Sequence, residues 1–232
     1  MALNSTLAPA IAPASARDTR ALAQVWAQLK PDSCPEIYNF HMHTVNSDGQ
    51  LPPHTLMEQT IDIGLRGLAI TDHHTVQGYC TAQAWLDERK HWSNLPQLWT
   101  GVEISAQLLE TEVHILGYGF EPSDAAIASY LHGHSPQGEA AQAERVIAAL
   151  HAAGGLVVLA HPERYRLPAR DLIPAAAKLG IDGVETYYAY RNVNPWQPTP
   201  EQTERVQELA DAYGLFNTCG TDTHGMDLRV RV

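Results

Sequence analysis

The sequence places two histidines one residue apart, His41 and His43, in the run Phe40-His41-Met42-His43-Thr44. Alternate side chains of an extended chain point the same way, so both imidazoles can face one cation. Further candidate ligands follow: Asp48 in Asn46-Ser47-Asp48-Gly49, His73 in Asp72-His73-His74, Glu103 in Gly101-Val102-Glu103, His114, His161 in His161-Pro162, and Asp222 and His224 in Gly220-Thr221-Asp222-Thr223-His224. Singly, each has an ordinary reading. Asp48 fits a turn, Glu103 a solvated strand end, and an isolated histidine a hydrogen-bonded surface residue. Together they form a set of imidazoles and carboxylates that suits Zn, Mn or Fe and does not choose among them.

These residues make a site only if the elements that carry them converge. Apolar runs predict strands at 36–40, 67–71, 97–104, 112–118, 156–160, 183–187 and 216–220. Helical spacing predicts helices at 16–30, 53–63, 76–91, 123–131, 139–152, 168–178 and 200–212. This alternation implies a mainly parallel sheet with helices outside it, closed into a barrel or strongly curved. The runs at 97–104 and 112–118 are close enough to be a hairpin, which makes the alternation imperfect. His, Asp or Glu recurs at or near the C-terminal ends of most of these strands. In α/β barrels the site is built at that end, from several strands, and this recurrence is the central inference. His54, His91, His132, His134 and His151 fall on predicted helices or loops and read as surface residues, while His74 is ambiguous.

Composition bounds the reading. The 232 residues suffice for one sizeable core rather than two domains. A formal net charge of -11 repels anions, so no stable duplex nucleic-acid binding is expected, although bound cations would reverse the local field. Cys34, Cys80 and Cys219 form no CxxC pair and read as thiols in a reducing compartment. Residues 1–16 are rich in Ala, Pro and Ser and contain no Lys or Arg. They read as a flexible leader before a single domain at 17–232, and they lack the basic start and unbroken apolar stretch of a secretory signal. No apolar run is long enough to span a membrane, and a cytoplasmic location is expected.

As a set, the blocks His41-Met42-His43-Thr44, Ser47-Asp48-Gly49, Ile70-Thr71-Asp72-His73, Gly101-Val102-Glu103, His114, His161-Pro162 and Gly220-Thr221-Asp222-Thr223-His224 resemble the PHP (polymerase and histidinol phosphatase) family of phosphoesterases. The likeness runs from about Ile37 to Gly225. The Ser-Asp-Gly and Thr-Asp-His forms look most like the branch acting on nucleoside 3',5'-bisphosphates and on 5' ends of short oligonucleotides. The resemblance implies a distorted (β/α)7 barrel and three divalent ions. It implies that His41, His43, Glu103 and Asp222 hold one ion. Glu103 would bridge to a second at His114 and His161, and Asp48, His73 and His224 would hold the third. The 46 residues from Ile115 to Ala160 are shorter than the insertion that bisphosphatase relatives often carry there.

Two ions bridged by Glu103 would activate water for in-line attack on phosphorus, giving Glu103 a catalytic role. Arg164 is the expected phosphate clamp, contributing to both binding and catalysis, with Arg191 as a second substrate-binding arginine. Tyr187 and Tyr188 could stack on a base or pack inside. His224, Asp72 and metal-bound water are all open as the leaving-group acid, and Asp72 could instead orient a ligand imidazole. Three other readings stay open: a histidinol-phosphate-like or other small-molecule phosphatase, a hydrolase of the amidohydrolase type, and a non-catalytic metal-stabilised accessory domain. The amidohydrolase type usually adds a bridging lysine, and the lysines here, Lys30, Lys90 and Lys178, all fall on predicted helices.

Overall fold

The computed structural model describes residues 12–232. Strands β1 (Tyr38–Asn39), β2 (Gly67–Ala69) and β3 (Gln97–Trp99) form a parallel three-stranded sheet in that order. Strands β4 (Gly101–Leu108), β5 (Thr111–Tyr118), β6 (Leu156–Leu159), β7 (Gly183–Tyr187) and β8 (Phe216–Cys219) form a second sheet. Within it β5 runs antiparallel to both β4 and β6, and β6, β7 and β8 are parallel. The helices are α1 (Thr19–Trp26), α2 (Pro53–Ile63), α3 (Gln77–Glu88), α4 (Ala125–Ala128), α5 (Ala143–Ala152), α6 (Ala169–Lys178) and α7 (Pro200–Tyr213).

The α/β class agrees with the sequence reading, but the strands do not close into one seven-stranded barrel. The predicted strand at 97–104 divides at Thr100, whose backbone is used elsewhere. Thr100 N donates to Ala16 O at 3.1 Å, and Thr100 O accepts from Gly119 N at 3.0 Å. β3 therefore stays with β1 and β2, while β4 pairs with β5 along its full length. At both seams the sheets are laced by isolated bridges, Met42 to Thr223 and His73 to Glu103.

The same contact involves the last residues of the expected leader. Residues 14–17 form a 3-10 turn, and Ala12 and Ala16 are buried. Within residues 12–16, Ser15 and Ala16 bond to Gln97 of β3 and to Thr100, while 1–11, the remainder of the expected leader, lie outside the described residues.

The strands pack on both faces, as strands covered on two sides must. One face, with Val102, Ile104, Ile115, Val157, Leu159 and Val184, packs against the outer helices. The other, with Phe40, Leu116, Tyr118, Val158 and Ala160, encloses an inner core. Helix α1 inserts Leu22 and Trp26 into that inner core, and Trp26 meets Tyr118 edge-on at 5.2 Å. This plugs the end of the strand assembly opposite the histidines. The three cysteines are free thiols. No helix among the described residues is long and apolar enough to cross a membrane.

Candidate metal centre

Beyond β1 the chain threads between the ends of β2 and β8. Thr71 N donates to Met42 O at 2.9 Å, Asp222 N donates to His41 O at 2.8 Å, and His43 N donates to Thr223 O at 3.1 Å. Met42 turns into the outer core, and His41 and His43 turn together to the opposite side. Gly220 permits the close approach of β8, because a Cβ there would lie 2.1 Å from His41 Cβ.

Four buried side chains then converge. His41 Nε2 lies 3.2 Å from His43 Nε2, 3.1 Å from Glu103 Oε2 and 3.3 Å from Asp222 Oδ1. His43 Nε2 is 3.1 Å from the same Glu103 oxygen and 3.2 Å from the same Asp222 oxygen. Glu103 turns its other oxygen away, with Oε1 2.8 Å from His114 Nδ1 and 3.3 Å from His161 Nε2. On the exposed side, Asp48 Oδ2 is 3.2 Å from His224 Nε2 and 3.6 Å from His73 Nε2, and Asp48 Oδ1 is 3.5 Å from His43 Nδ1. All nine sequence candidates are therefore drawn into one cluster at one end of the strands.

The grouping differs in detail from the set the resemblance implies. Donor atoms of His73, Glu103 and His114 lie within 4.8 Å of one another, so His73 adjoins the Glu103 bridge as well as Asp48. His114 also reaches the site differently from the others. Because β5 runs against its neighbours, His114 sits toward the start of its strand rather than the end.

The electrostatics fit a cation centre. Burial alone would discharge His41, but Glu185, Glu103 and Asp222 outweigh it and raise its pKa well above the usual range. Burial also works against His43, and bonds to Asp222 and Glu103 prevail, raising it to about 9. Glu103 and Asp222 are held well below the carboxylate range despite burial, chiefly by the facing His41 charge. His73 moves the other way, lowered to about 4 by burial. Removing so many buried charges from water is costly unless each is compensated. The donor spacings match what a small divalent ion requires, since tetrahedral ligands at ~2.1 Å from zinc stand ~3.4 Å from each other. His43 Nδ1 and His161 Nδ1 are moreover buried without a hydrogen-bond partner.

Glu185, on β7, belongs to the site and was not singled out from the sequence. Its Oε1 is 2.9 Å from His41 Nδ1, and its Oε2 accepts from His161 N at 2.9 Å. With Nδ1 engaged, His41 presents Nε2 to the cluster, the outer-partner arrangement that fixes tautomer and ring orientation at metal sites. The available signal was one carboxylate in the otherwise uncharged run Gly183-Val184-Glu185-Thr186-Tyr187. Glu185→Gln keeps the shape but offers one acceptor where two N–H groups need one each. It is expected to weaken metal affinity roughly 10–100-fold, read by titrating the stripped protein. An unchanged affinity would remove this role.

The structure narrows other expectations. Asp72 is buried and accepts from Thr44 N, Thr44 Oγ1 and Ser47 Oγ, each at 2.7 Å, so it anchors the loop that carries Asp48. Arg164 reaches the site: its Nη1 donates to Asp222 Oδ2 at 2.8 Å and to Tyr188 OH at 2.9 Å. Arg191 does not, since it is largely exposed and pairs with Glu201 of α7 at 3.8 Å. Tyr187 and Tyr188 are both buried, which withdraws them from base stacking. His74, buried with a left-handed φ of 55°, lies at the site edge with Nε2 3.3 Å from Ser105 Oγ and 3.2 Å from Ser135 Oγ. His54, His91, His132, His134 and His151 are exposed, as read. Lys30, Lys90 and Lys178 are exposed too, so no lysine bridges the cluster as the amidohydrolase type would require.

Above Asp48, His73 and His114 opens a cleft of about 450 Å³, walled by Ser47, His74, Ser105 and Ser135. A larger cavity of about 720 Å³, between Pro31–Glu36 and α7, contains none of the clustered residues.

The family model for the PHP domain matches residues 39–221. The chain is similar to the 5'-3' exoribonuclease Rnm of Salmonella typhimurium, with 24% identity over 85% of this chain and 88% of that one. It is also similar to a 3',5'-nucleoside bisphosphate phosphatase of Chromobacterium violaceum, with 33% identity over 50% of this chain and 39% of the other. A solved structure from Bifidobacterium adolescentis, described as a metal-dependent phosphoesterase, superposes with a TM-score of 0.68 at 26% identity, covering 85% of this chain and 90% of its own.

Proposed function

The chain belongs to the PHP domain family and is a metal-dependent phosphoesterase, and we propose that its substrates are small nucleotides such as nucleoside 3',5'-bisphosphates, or the 5' ends of short oligonucleotides. The observation that carries this reading is the convergence of nine imidazole and carboxylate side chains, with Glu103 presenting one oxygen to each of two groups.

Three ions account for the ligand set. His41, His43, Glu103 and Asp222 would hold one, Glu103, His114 and His161 a second, and Asp48, His73 and His224 a third. Divalent ions held there would supply Lewis acidity, to neutralise phosphoryl oxygens and lower the pKa of water. The side chains do the rest. Glu185 fixes His41, and His224 Nδ1 lies 2.8 Å from Asp222 O, which leaves Nε2 to face Asp48. Arg164, partly exposed beside Asp222, is the cation available to a phosphoryl oxygen as charge develops. The cleft over Asp48 is walled by the hydroxyls of Ser47, Ser105 and Ser135 and carries no Lys or Arg among its lining residues, which suits a ribose or base better than a second phosphate. The two sheets, laced at both seams, support reading the fold as a distorted (β/α)7 barrel that strand pairing leaves unclosed.

The test is a hydrolysis screen on the Mn- or Zn-loaded chain, read as inorganic phosphate from the bisphosphate, p-nitrophenol from the aryl ester and free mononucleotide from the oligonucleotide. Adenosine 3',5'-bisphosphate or a 5'-phosphorylated trinucleotide should exceed p-nitrophenyl phosphate in kcat/KM by at least ~10-fold, because only they offer remote binding energy. A fully metal-loaded chain that turns over no phosphate ester would instead be an accessory domain.

A further inference from the structure

Three donors crowd one oxygen of Asp222. Tyr188 OH donates to Oδ2 at 2.7 Å, Arg164 Nη1 at 2.8 Å and Arg231 Nε at 2.9 Å. Asp222 is 2% exposed and sits at a left-handed φ of 52°, so its side chain is held in place by its surroundings rather than by a relaxed backbone. With Oδ2 saturated, Oδ1 is the oxygen left facing His41 and His43.

Arg231 differs from Arg164 in two ways. Its backbone carbonyl also accepts from His224 N at 2.6 Å, so one residue grips both Asp222 and His224. It is also carried on an anchored turn. Leu228 is fully buried, its carbonyl accepts from Thr221 Oγ1 at 2.9 Å, and its N–H donates to Gln59 Oε1 at 2.9 Å. Arg164, by contrast, is 38% exposed against 20% for Arg231.

We propose that Arg231 is a positioning residue of the metal centre, locking Asp222 and His224 in the arrangement that receives two of the ions. This rests on the metal-dependent reading above. Arginine suits the role because Nε and the terminal nitrogens form a rigid planar fork, which lysine lacks.

The experiment strips the full-length wild type, Arg231→Gln, Arg231→Lys and Tyr188→Phe of metal and titrates each with Mn2+ and Zn2+. Bound metal is counted by elemental analysis, and KM for p-nitrophenyl phosphate is measured at saturating metal. Arg231→Gln should bind metal roughly 10–100-fold more weakly, the usual loss when an outer partner is removed, with KM unchanged. Arg231→Lys should fall between it and wild type. Tyr188→Phe, which removes one donor from the same oxygen without removing a charge, should shift affinity in the same direction by less, and it carries the test if Arg231→Gln does not fold. Wild-type metal affinity with a raised KM in Arg231→Gln would make Arg231 a substrate clamp and overturn the proposal. A wild-type chain that takes up no metal would overturn the phosphoesterase reading itself, which is a separate result.

Discussion

Glu103→Ala is expected to lower phosphate-ester turnover by roughly 10³-fold and to empty more than one metal position. Glu103 is 1% exposed, and its two oxygens face five imidazoles: His41, His43 and His73 at Oε2, His114 and His161 at Oε1. Asp48 also splits its oxygens, between His43 and the His73–His224 pair, but it is half-exposed, whereas Glu103 is buried. Breaking a buried charge pair costs ~3–5 kcal/mol, and each ~1.4 kcal/mol at the transition state is a factor of ten. Glu103→Gln preserves volume and removes the charge, so it should lose nearly as much if charge rather than packing is responsible. Turnover of p-nitrophenyl phosphate within tenfold of wild type, with metal content intact, would mean that Glu103 does not bridge.

Chelation is expected to produce the second large effect, one that changes with pH. In the metal-free chain His43 has its pKa raised to about 9. A raised histidine contributes stability that is fully present below its unfolded value near 6.5 and is lost as pH climbs through about 9. For this buried group the contribution is on the order of 3 kcal/mol. His73 has the opposite sign. Lowered to about 4 by burial, it contributes stability above ~6.5 that is lost as pH falls toward 4. The metal-free protein should therefore be most stable near neutral pH and weaken on the alkaline side. The loaded protein needs neutral imidazoles, so metal binding strengthens as pH rises. The gap between loaded and EDTA-treated melting midpoints should widen from pH 6.5 to 9, by on the order of 10 °C for a chain this size. A constant gap would show that the carboxylates do not hold protons on these histidines.

Local elements were legible where local physics dominates. Helix α2 spans Pro53–Ile63 as the spacing predicted, with Pro53 at its first turn and Gly64 ending it at a φ of 84°. The strand at 183–187 likewise matches β7. The division of 97–104 at Thr100 was not legible, because the groups that take its backbone bonds, Ala16 and Gly119, come from distant parts of the chain. The reversed direction of β5 was legible only as a hairpin, which left the place of His114 unresolved.

The sequence by itself determined the chemistry of the centre. Histidine and carboxylate side chains placed at or near strand ends are limited in what they can bind, and His41-Met42-His43 has an alternation that any extended chain obeys. Tertiary structure decided how those ligands are held. Glu185 orients His41 from 144 residues away, Arg164, Tyr188 and Arg231 share one oxygen of Asp222, and Arg191 is turned aside to Glu201. Hydrogen-bond partners of this kind depend on separations of about 3 Å between groups remote in sequence, and no spacing along a chain encodes them.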